Sequence, residues 1–241
     1  MASVLYYGPD KRVKDLLDDF FKRRQQDAGE VNSITHVMDE RKYVEALTAV
    51  NFDVMMYEQV VMGQQQPQEF VDSFYKKFPN RTAPKILVGT ETDHLKVLKI
   101  LNSGFKDYLL LPPDKALLIE KITMYTIGRR TNDTRQVYSL QLSQNADVAK
   151  PGVIEGLSEF DCQLRSTQQY QTDELAILYS KAFGADFSQT GSVIGRCYGS
   201  EPHESFEGQF LNSFYFLGIT PDILTNIRNA LRKTYISQKG K

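Results

Sequence analysis

The sequence has few of the residues on which cross-links, metal sites and much enzyme chemistry depend. Its 241 residues include two cysteines, Cys162 and Cys197, and three histidines. Two cysteines cannot make a disulfide framework or complete a usual zinc site, so we expect reduced thiols and an intracellular protein. Three histidines leave little material for acid–base catalysis, and we expect no enzymatic activity.

The sequence also lacks net charge and long apolar runs. Lys and Arg total 29 against 30 Asp and Glu, with 17 basic and 18 acidic residues in 1–128 and 12 of each in 129–241. Neither half has the basic excess of a nucleic-acid binder. No run approaches the roughly 20 apolar residues of a membrane span, and residues 8–12 interrupt any signal-peptide hydrophobic region. These absences predict a cytoplasmic protein that does not bind nucleic acid and does not span a membrane.

What is present is enough apolar material for two cores. The composition is 41% hydrophobic and 24% charged, and the length is about twice that of a common domain. A polar stretch at residues 128–136 interrupts the apolar periodicity. We therefore predict two domains, residues 1–128 and 129–241.

The first half alternates strands with helices. Strands are predicted at 3–7, 33–38, 52–57, 85–88 and 108–111. Between them, apolar residues at helical spacing predict helices, with Asp39 as a cap and Gly104 as a C-terminal stop. The apolar residues that indicate these helices are Val13, Leu16, Leu17, Phe20, Phe21, Tyr43, Leu47, Val50, Phe70, Phe74, Phe78, Leu95, Val97, Leu98, Leu101, Leu118, Ile122 and Tyr125. Of these, Tyr43, Leu47 and Val50 are predicted to point inward. Five such units predict an α/β doubly wound five-stranded parallel sheet.

In such sheets ligands bind beyond the carboxyl ends of the strands. That places the candidate site at residues 8–10, Glu58, residues 89–90 and residues 111–113. The Gln-rich stretch 64–68 is predicted to be a loop.

The order of these segments resembles a response-regulator receiver domain over residues 3–127. The most specific segment is 104–113, which is similar to the family's Gly-x-x-x-Tyr-Leu-x-Lys-Pro stretch. The resemblance implies phosphoryl transfer to an aspartate, with an acidic pair that holds Mg²⁺, an acceptor Asp, a hydroxyl residue and a lysine.

The sequence departs from that pattern at every one of these positions. Gly8 and Pro9 replace the acidic pair, with only Asp10 nearby. Glu58 occupies the acceptor position, Gly89 the hydroxyl position with Thr90 one residue late, and Leu111 the lysine position. We therefore predict a pseudo-receiver that is not phosphorylated. Two alternatives remain for Glu58, a fixed charge that mimics the phosphorylated state and an unconstrained residue exposed at a strand end.

The second half is predicted to be a small antiparallel β-barrel with a C-terminal helix. Short strands are predicted at 137–142, 153–157, 162–166, 175–179, 193–198 and 214–217. In the last strand, Phe214 and Phe216 are predicted to share one face. Thr220, Pro221 and Asp222 form a strong helix start.

This half is similar to a PilZ domain over about residues 129–236. The resemblance implies binding of cyclic di-GMP by an Arg-x-x-x-Arg motif and an Asp/Asn-x-Ser-x-x-Gly motif. Arg129, Arg130 and Arg135 are near the first motif's place, but no two are four residues apart. In the second motif Ser158 matches, whereas Gly156 replaces the acceptor and Asp161 replaces the glycine. Both motifs are degenerate, so we expect no cofactor, with cyclic di-GMP as a disfavoured ligand of Arg129, Arg130, Arg135 and Ser158.

Other candidate sites are weaker. His203 with Glu201, Glu204 and Glu207 offers metal ligands without a rigid spacing. His36 is predicted to be a satisfied core residue, and Ser200 and Ser205 lack a paired His and Asp. No metal site and no catalytic residue is predicted.

Two functions remain open. The first is a non-enzymatic bacterial signalling adaptor that acts through protein–protein contacts. Its partner-binding face would be residues 92–127, which the receiver resemblance also implies as a homodimer surface. The alternative is a cyclic di-GMP-binding effector that uses the Arg-rich junction and the barrel.

Overall fold

The computed structural model describes residues 3–28, 33–127, 152–185 and 191–239. The chain divides into two compact units, Met1–Thr131 and Asn132–Lys241. The predicted boundary at 128/129, the predicted strand at 137–142 and the three junction arginines lie outside the described residues. None of the helices in the described ranges is long and apolar enough to cross a membrane.

The first unit contains five parallel strands in the order β2-β1-β3-β4-β5. The strands are β1 Ser3–Tyr7, β2 Ser33–Val37, β3 Val54–Glu58, β4 Lys85–Gly89 and β5 Asp107–Leu110. The helices are α1 Lys11–Ala28, α2 Glu40–Ala49, α3 Pro67–Lys77, α4 His94–Asn102 and α5 Lys115–Ile127. This order confirms the predicted doubly wound parallel sheet. Strands β3 and β4 are buried along their whole length, as expected when helices cover both faces.

Aromatic packing fixes one face of this sheet. Tyr57 of β3 meets Tyr43 of α2 edge-on, with ring centroids 5.9 Å apart, and Phe70 of α3 at 5.1 Å. Helices α1 and α5 contact each other, and Lys115 of α5 forms an ion pair with Asp19 of α1. The predicted cap is confirmed, because the Asp39 carboxylate accepts a hydrogen bond from the Lys42 N–H.

Two local predictions for this unit are wrong in whole or in part. Val50 is not an inward helix residue; it follows the end of α2 and is 44% exposed. Leu95 belongs to a helix, as predicted, but lies in the first turn of α4 with 65% of its surface exposed. The Gln-rich stretch is only partly a loop, because a short 3-10 helix, Gln59–Met62, precedes it and α3 begins at Pro67, where proline's fixed φ suits a first helical turn.

The second unit contains an antiparallel sheet in the order β6-β7-β10-β9-β8. Its elements are β6 Gly152–Leu157, β7 Asp161–Ser166, β8 Leu175–Ser180, β9 Gly191–Pro202, β10 Phe210–Leu217 and helix α6 Pro221–Lys239. Within the described ranges the sheet is a curled half-barrel with β6 and β8 at its edges, which is consistent with the predicted small antiparallel barrel. The predicted closing helix is present.

Register separates the two faces of this sheet. Phe214 pairs with Cys162 and Cys197, and all three are buried on the core face. Phe216 is on the same face, as predicted, and packs edge-on against Phe183. Because side chains alternate along a strand, Arg196 and Tyr215 lie on the opposite face.

Candidate functional site

The carboxyl edge of the parallel sheet brings together the four predicted positions of the first unit. Glu58 and Gly89 are the last residues of β3 and β4, and these strands are neighbours. Gly8 follows β1, whose register with β3 is parallel. Leu111 follows β5 and donates its backbone N–H to the Gly89 carbonyl at 2.7 Å. The sequence therefore predicted this cluster correctly from strand order.

Glu58 is not exposed at this edge, so one of the two alternatives for it is wrong. Only 4% of its surface is accessible. Its Oε1 atom accepts a hydrogen bond from the Tyr6 hydroxyl and another from the Asp10 backbone N–H at 2.5 Å. Both donors belong to β1 and the loop after it. The carboxylate is therefore bonded to the β1 side of the site, where it has a fixed position.

Gly8 provides the space that this carboxylate occupies. A Cβ atom added at residue 8 would lie 2.5 Å from Glu58 Cγ and 2.6 Å from Glu58 Cδ. Such distances are far inside van der Waals contact. An acidic side chain at position 8 is therefore incompatible with the observed position of Glu58, so the two departures from the receiver pattern depend on each other.

Tyr6 is the residue of this site that the sequence analysis missed. Burial and the neighbouring Glu58 carboxylate raise the pKa of Tyr6, so its phenol stays protonated and remains a donor. Its ring stacks on His36 with centroids 5.2 Å apart, and His36 Nε2 lies 2.8 Å from the Gly8 carbonyl, an acceptor. His36 is thus hydrogen-bonded, as predicted. Strand register could have identified Tyr6. Tyr6 pairs with Met56, and Glu58, two residues after Met56, lies on the same face of the sheet.

The hydroxyl position is filled in a similar way. A Cβ atom at Gly89 would lie 2.6 Å from Gln59 Oε1 and 2.8 Å from the Tyr108 hydroxyl oxygen. The Tyr108 oxygen accepts the Glu91 N–H at 2.6 Å, and burial raises the pKa of Tyr108 to about 12. Thr90, one residue later, is exposed. Serine or threonine does not fit at residue 89 without moving these groups.

Asp10, the acidic residue that remains at this edge, accepts a hydrogen bond from the backbone of α1. Asp10 Oδ1 accepts the Arg12 N–H at 2.7 Å at the start of α1. Among the described residues there is no group of three His, Cys, Asp or Glu side chains placed to hold a metal ion. The edge therefore presents a loop whose one acidic side chain, Asp10, is bonded to the start of α1, together with the internally bonded Glu58 and Leu111.

In the second unit, Ser158 is fully engaged within the turn between β6 and β7. Its hydroxyl oxygen accepts the N–H groups of Phe160 at 3.1 Å and Asp161 at 3.0 Å, and its hydroxyl hydrogen bonds to the Asp161 carboxylate. Gly156 is buried and pairs with Gln163 of β7. Arg129, Arg130 and Arg135 lie outside the described residues. The turn itself offers a ligand no unused serine hydroxyl.

His203 contacts a different acid from those the sequence suggested. Its Nε2 lies 3.0 Å from Glu155 Oε2, and its Nδ1 accepts the Ser205 N–H at 3.0 Å. Arg165 also donates to Glu155, and its guanidinium lies 3.9 Å from the centre of the Phe206 ring. Burial alone would raise the pKa of Glu155, but the hydrogen bonds from Arg165 and His203 outweigh it and hold that pKa below its ordinary value.

Both thiols are protected by burial. Cys162 and Cys197 are each 1% exposed, and burial raises the pKa of both. They therefore stay protonated at neutral pH and are not activated nucleophiles.

No protein-family model matches the chain, and no curated protein matches it. Solved structures are similar to its first half. A response regulator receiver domain from Francisella is 21% identical, covering 52% of this chain and 96% of that chain with a TM-score of 0.40. A two-component response regulator from Clostridium difficile is 20% identical, covering 55% and 100% with a TM-score of 0.43. The receiver domain of Saccharomyces cerevisiae Ssk1, co-crystallised with the histidine phosphotransfer protein Ypd1, is 16% identical, covering 55% and 93% with a TM-score of 0.42.

Proposed function

We propose that this protein is a non-enzymatic signalling adaptor. Its receiver-like unit does not accept phosphate and acts by contacting other proteins. The observation that carries the proposal is the bonded position of Glu58, which Tyr6 and the Asp10 N–H hold in the space above Gly8. This arrangement replaces both the metal-binding acids and the acceptor.

The location of the Glu58 charge argues against a mimic of the phosphorylated state. The carboxylate is bonded to donors from β1 and its loop. The opposite side of the site is formed by Gly89 and Leu111, and neither residue carries a cation that would respond to it. We propose instead that Glu58 closes the site and stabilises one conformation of the edge.

Phosphorylation is the direct test. The full chain is incubated with acetyl phosphate and Mg²⁺, and intact-mass and peptide mass spectrometry are used to search for an adduct. We expect none, because the acceptor carboxylate is already bonded and the metal ligands are absent from the edge. A stoichiometric hydroxylamine-labile adduct on Glu58 or Asp53 would overturn the proposal.

A partner surface is proposed on α4, β5 and α5, residues 92–127. Leu95 on α4 is 65% exposed. On α5, the side chains of Ile119, Thr123 and Met124 are partly accessible to solvent. The residues from Leu117 to Thr126 are all either buried or partly buried. A helix with apolar residues outside its sheet-facing stripe suits protein contact. We propose protein binding through this face, with a second copy of the chain as one such partner.

Paired variants test that surface. Leu95→Glu lies within the face, whereas Val60→Glu replaces an equally exposed residue, 64% accessible, in the 3-10 helix outside it. Tagged proteins are compared for capture of binding proteins and for concentration-dependent dimerisation by sedimentation velocity. We expect loss of association in Leu95→Glu and retention in Val60→Glu. If Leu95→Glu and Val60→Glu associate to the same extent, the α4, β5 and α5 face is not the binding surface.

We also propose that the second unit is a PilZ-like half-barrel with a degenerate nucleotide site. Ser158 is bonded within its turn, Gly156 has no acceptor, and Asp161 adds negative charge. Loss of a charge-assisted contact reduces affinity by roughly ten- to a hundredfold. In calorimetric titrations we expect cyclic di-GMP to bind no tighter than roughly 100 μM. Low-micromolar binding that Arg130→Ala abolishes would favour the effector alternative.

A further inference from the structure

Arg196 of β9 is a buried cation outside the sites described above. It pairs across the sheet with Leu175 of β8 and Tyr215 of β10, so these side chains share the face opposite the core residues Phe214 and Cys197. Its side chain is 7% exposed. Arginine is rarely buried to this extent unless it is paired.

Only one end of the guanidinium has a partner. Nη1 lies 3.4 Å from the Asp173 carbonyl oxygen and 3.9 Å from the Asp173 carboxylate, which is 54% exposed. Nε and Nη2 are buried and have no hydrogen-bond partner among the described residues. These two N–H groups point along the same edge of the planar guanidinium. That edge is the fork that receives two oxygens of one carboxylate or phosphate.

The surroundings suit an anion held against a flat wall. Tyr215, on the same face as Arg196, stacks on Tyr198 with ring centroids 5.5 Å apart and ring planes 20° from parallel. Burial lowers the effective dielectric, which strengthens attraction between a guanidinium and an oxyanion. The same burial makes two unpaired donors and a weakly compensated charge unfavourable.

Another buried cation shows why Arg196 is distinctive. Lys85 Nζ also has no hydrogen-bond partner in the described part of the chain. It lies 4.2 Å from the centre of the Phe74 ring and 3.9 Å from that of Tyr75, so two aromatic faces stabilise its charge. Burial lowers the pKa of Lys85, so its ammonium group loses a proton more readily than that of an exposed lysine. Arginine has no such route, because its guanidinium stays protonated.

We propose that the Nε–Nη2 edge of Arg196 is a binding site for an oxyanion, the carboxylate or phosphate group of a small ligand. The ligand's two oxygens accept the two unpaired N–H groups, and the charge of Arg196 is neutralised in the same step. Because both nitrogens are buried, binding accompanies a local opening of the surrounding side chains.

Titration of the full-length ¹⁵N-labelled chain tests this site. The arginine Nε–H resonances are followed while inorganic phosphate, sodium acetate or sodium chloride is added at matched ionic strength. Arg196→Lys assigns the resonance, because it removes that signal and retains a positive charge. We expect a saturable shift of the Arg196 resonance with phosphate or with acetate and none with chloride. The anion that acts identifies the ligand class.

Thermal melting provides a second readout. The effective anion is expected to raise the Tm of the wild-type protein by a few degrees, as for any ligand that binds only the folded state. In Arg196→Lys the apparent affinity is expected to fall at least tenfold, because lysine lacks the fork. In Arg196→Met the rise is expected to disappear. The proposal is overturned if neither anion moves the Arg196 resonance, or if Arg196→Met gives the wild-type Tm rise.

Discussion

At the scale of single residues, the closed edge of the first unit depends on one side chain filling the space of another. Glu58 is longer than aspartate by one methylene, and that length lets its carboxylate reach the Tyr6 hydroxyl and the Asp10 N–H. Gly8 is needed because any Cβ would collide with it. Gly8 and Glu58, which each depart from the receiver pattern, are thus parts of one packed arrangement.

Removal of the Tyr6 hydroxyl tests the strength of this arrangement. In Tyr6→Phe the buried Glu58 carboxylate loses a donor, so the free energy of unfolding should fall by about 1.5–3 kcal/mol. The matched control is Tyr7→Phe, because Tyr7 lies on the other face of β1 and stacks on Tyr43 of α2. That control should change stability by less than about 0.5 kcal/mol. Urea denaturation of the full chain measures both, and equal losses would contradict the assignment.

The dependence between residues 8 and 58 has its own test. Gly8→Ala should destabilise the protein by roughly 1–3 kcal/mol, because the added methyl group overpacks the space that Glu58 fills. The same substitution in a Glu58→Ala background should have a much smaller effect. A double-mutant cycle of denaturation free energies measures this coupling. Additive effects of the two substitutions would show that they do not share the space.

At the scale of elements, an ion pair buried between β5 and α5 fixes the last helix of the first unit. Lys121 Nζ lies 2.7 Å from Asp107 Oδ2, with side-chain exposures of 3% and 0%. The Tyr125 hydroxyl, one turn later on α5, also donates to Asp107 Oδ2 at 3.2 Å. The pair therefore sets the position of α5 on the sheet through two residues on one helix face.

Breaking this pair should be far more harmful than breaking an exposed one. Lys121→Ala leaves the Asp107 charge buried without its cation, so we expect a loss of about 3–5 kcal/mol in the free energy of unfolding. The comparison is Lys115→Ala, whose ion pair with Asp19 is 46% and 40% exposed and should contribute at most about 1 kcal/mol. Chemical denaturation monitored by circular dichroism distinguishes them. Similar losses in the two variants would refute the ranking.

The loop between β9 and β10 should respond to acid through Glu155. The folded-state pKa of Glu155 is below its ordinary value of 4.5 because Arg165 and His203 donate to it. Ionised Glu155 therefore makes its full contribution to the free energy of unfolding above about pH 4.5. That contribution is lost as the pH falls through the lower pKa that Glu155 has in the folded state. We expect Glu155→Gln to weaken the acid dependence of unfolding in that window. An unchanged pH profile in Glu155→Gln would argue against this role.

At the scale of the whole molecule, the two units have cores of different kinds. The first is a parallel sheet whose strands β3 and β4 are buried along their whole length, and the second is a curled antiparallel sheet. Each core is built from its own part of the chain, Met1–Thr131 and Asn132–Lys241. We therefore expect residues 1–127 and 136–241 to fold separately.

Expression of the two fragments tests this independence. Each should give a single cooperative thermal transition, measured by differential scanning calorimetry, because each contains a complete apolar core. The intact chain is the reference for both transitions. If neither fragment melts cooperatively, the division into two domains is wrong.

The sequence by itself determined the parallel α/β architecture of the first unit and the antiparallel strands and C-terminal helix of the second, although β9 and β10 extend beyond their predicted ends. Periodicity identified the five parallel strands, and strand order alone placed Gly8, Glu58, Gly89 and Leu111 at one edge. Errors arose where local pattern conflicted with position in the fold. Val50 is apolar and lies at helical spacing, yet it follows the end of α2 and its side chain is 44% exposed.

Only the tertiary structure decided what the edge does with its unusual residues. Sequence identified Gly8 and Glu58 as departures from a pattern, but their interaction depends on a contact across 50 residues and on the direction in which one side chain turns. The same holds for Arg196, which is an ordinary strand residue in the sequence. Its unpaired Nε and Nη2 arise from what surrounds it on one face of the sheet. Local periodicity predicts which face a residue occupies, whereas packing determines which of its polar atoms find partners.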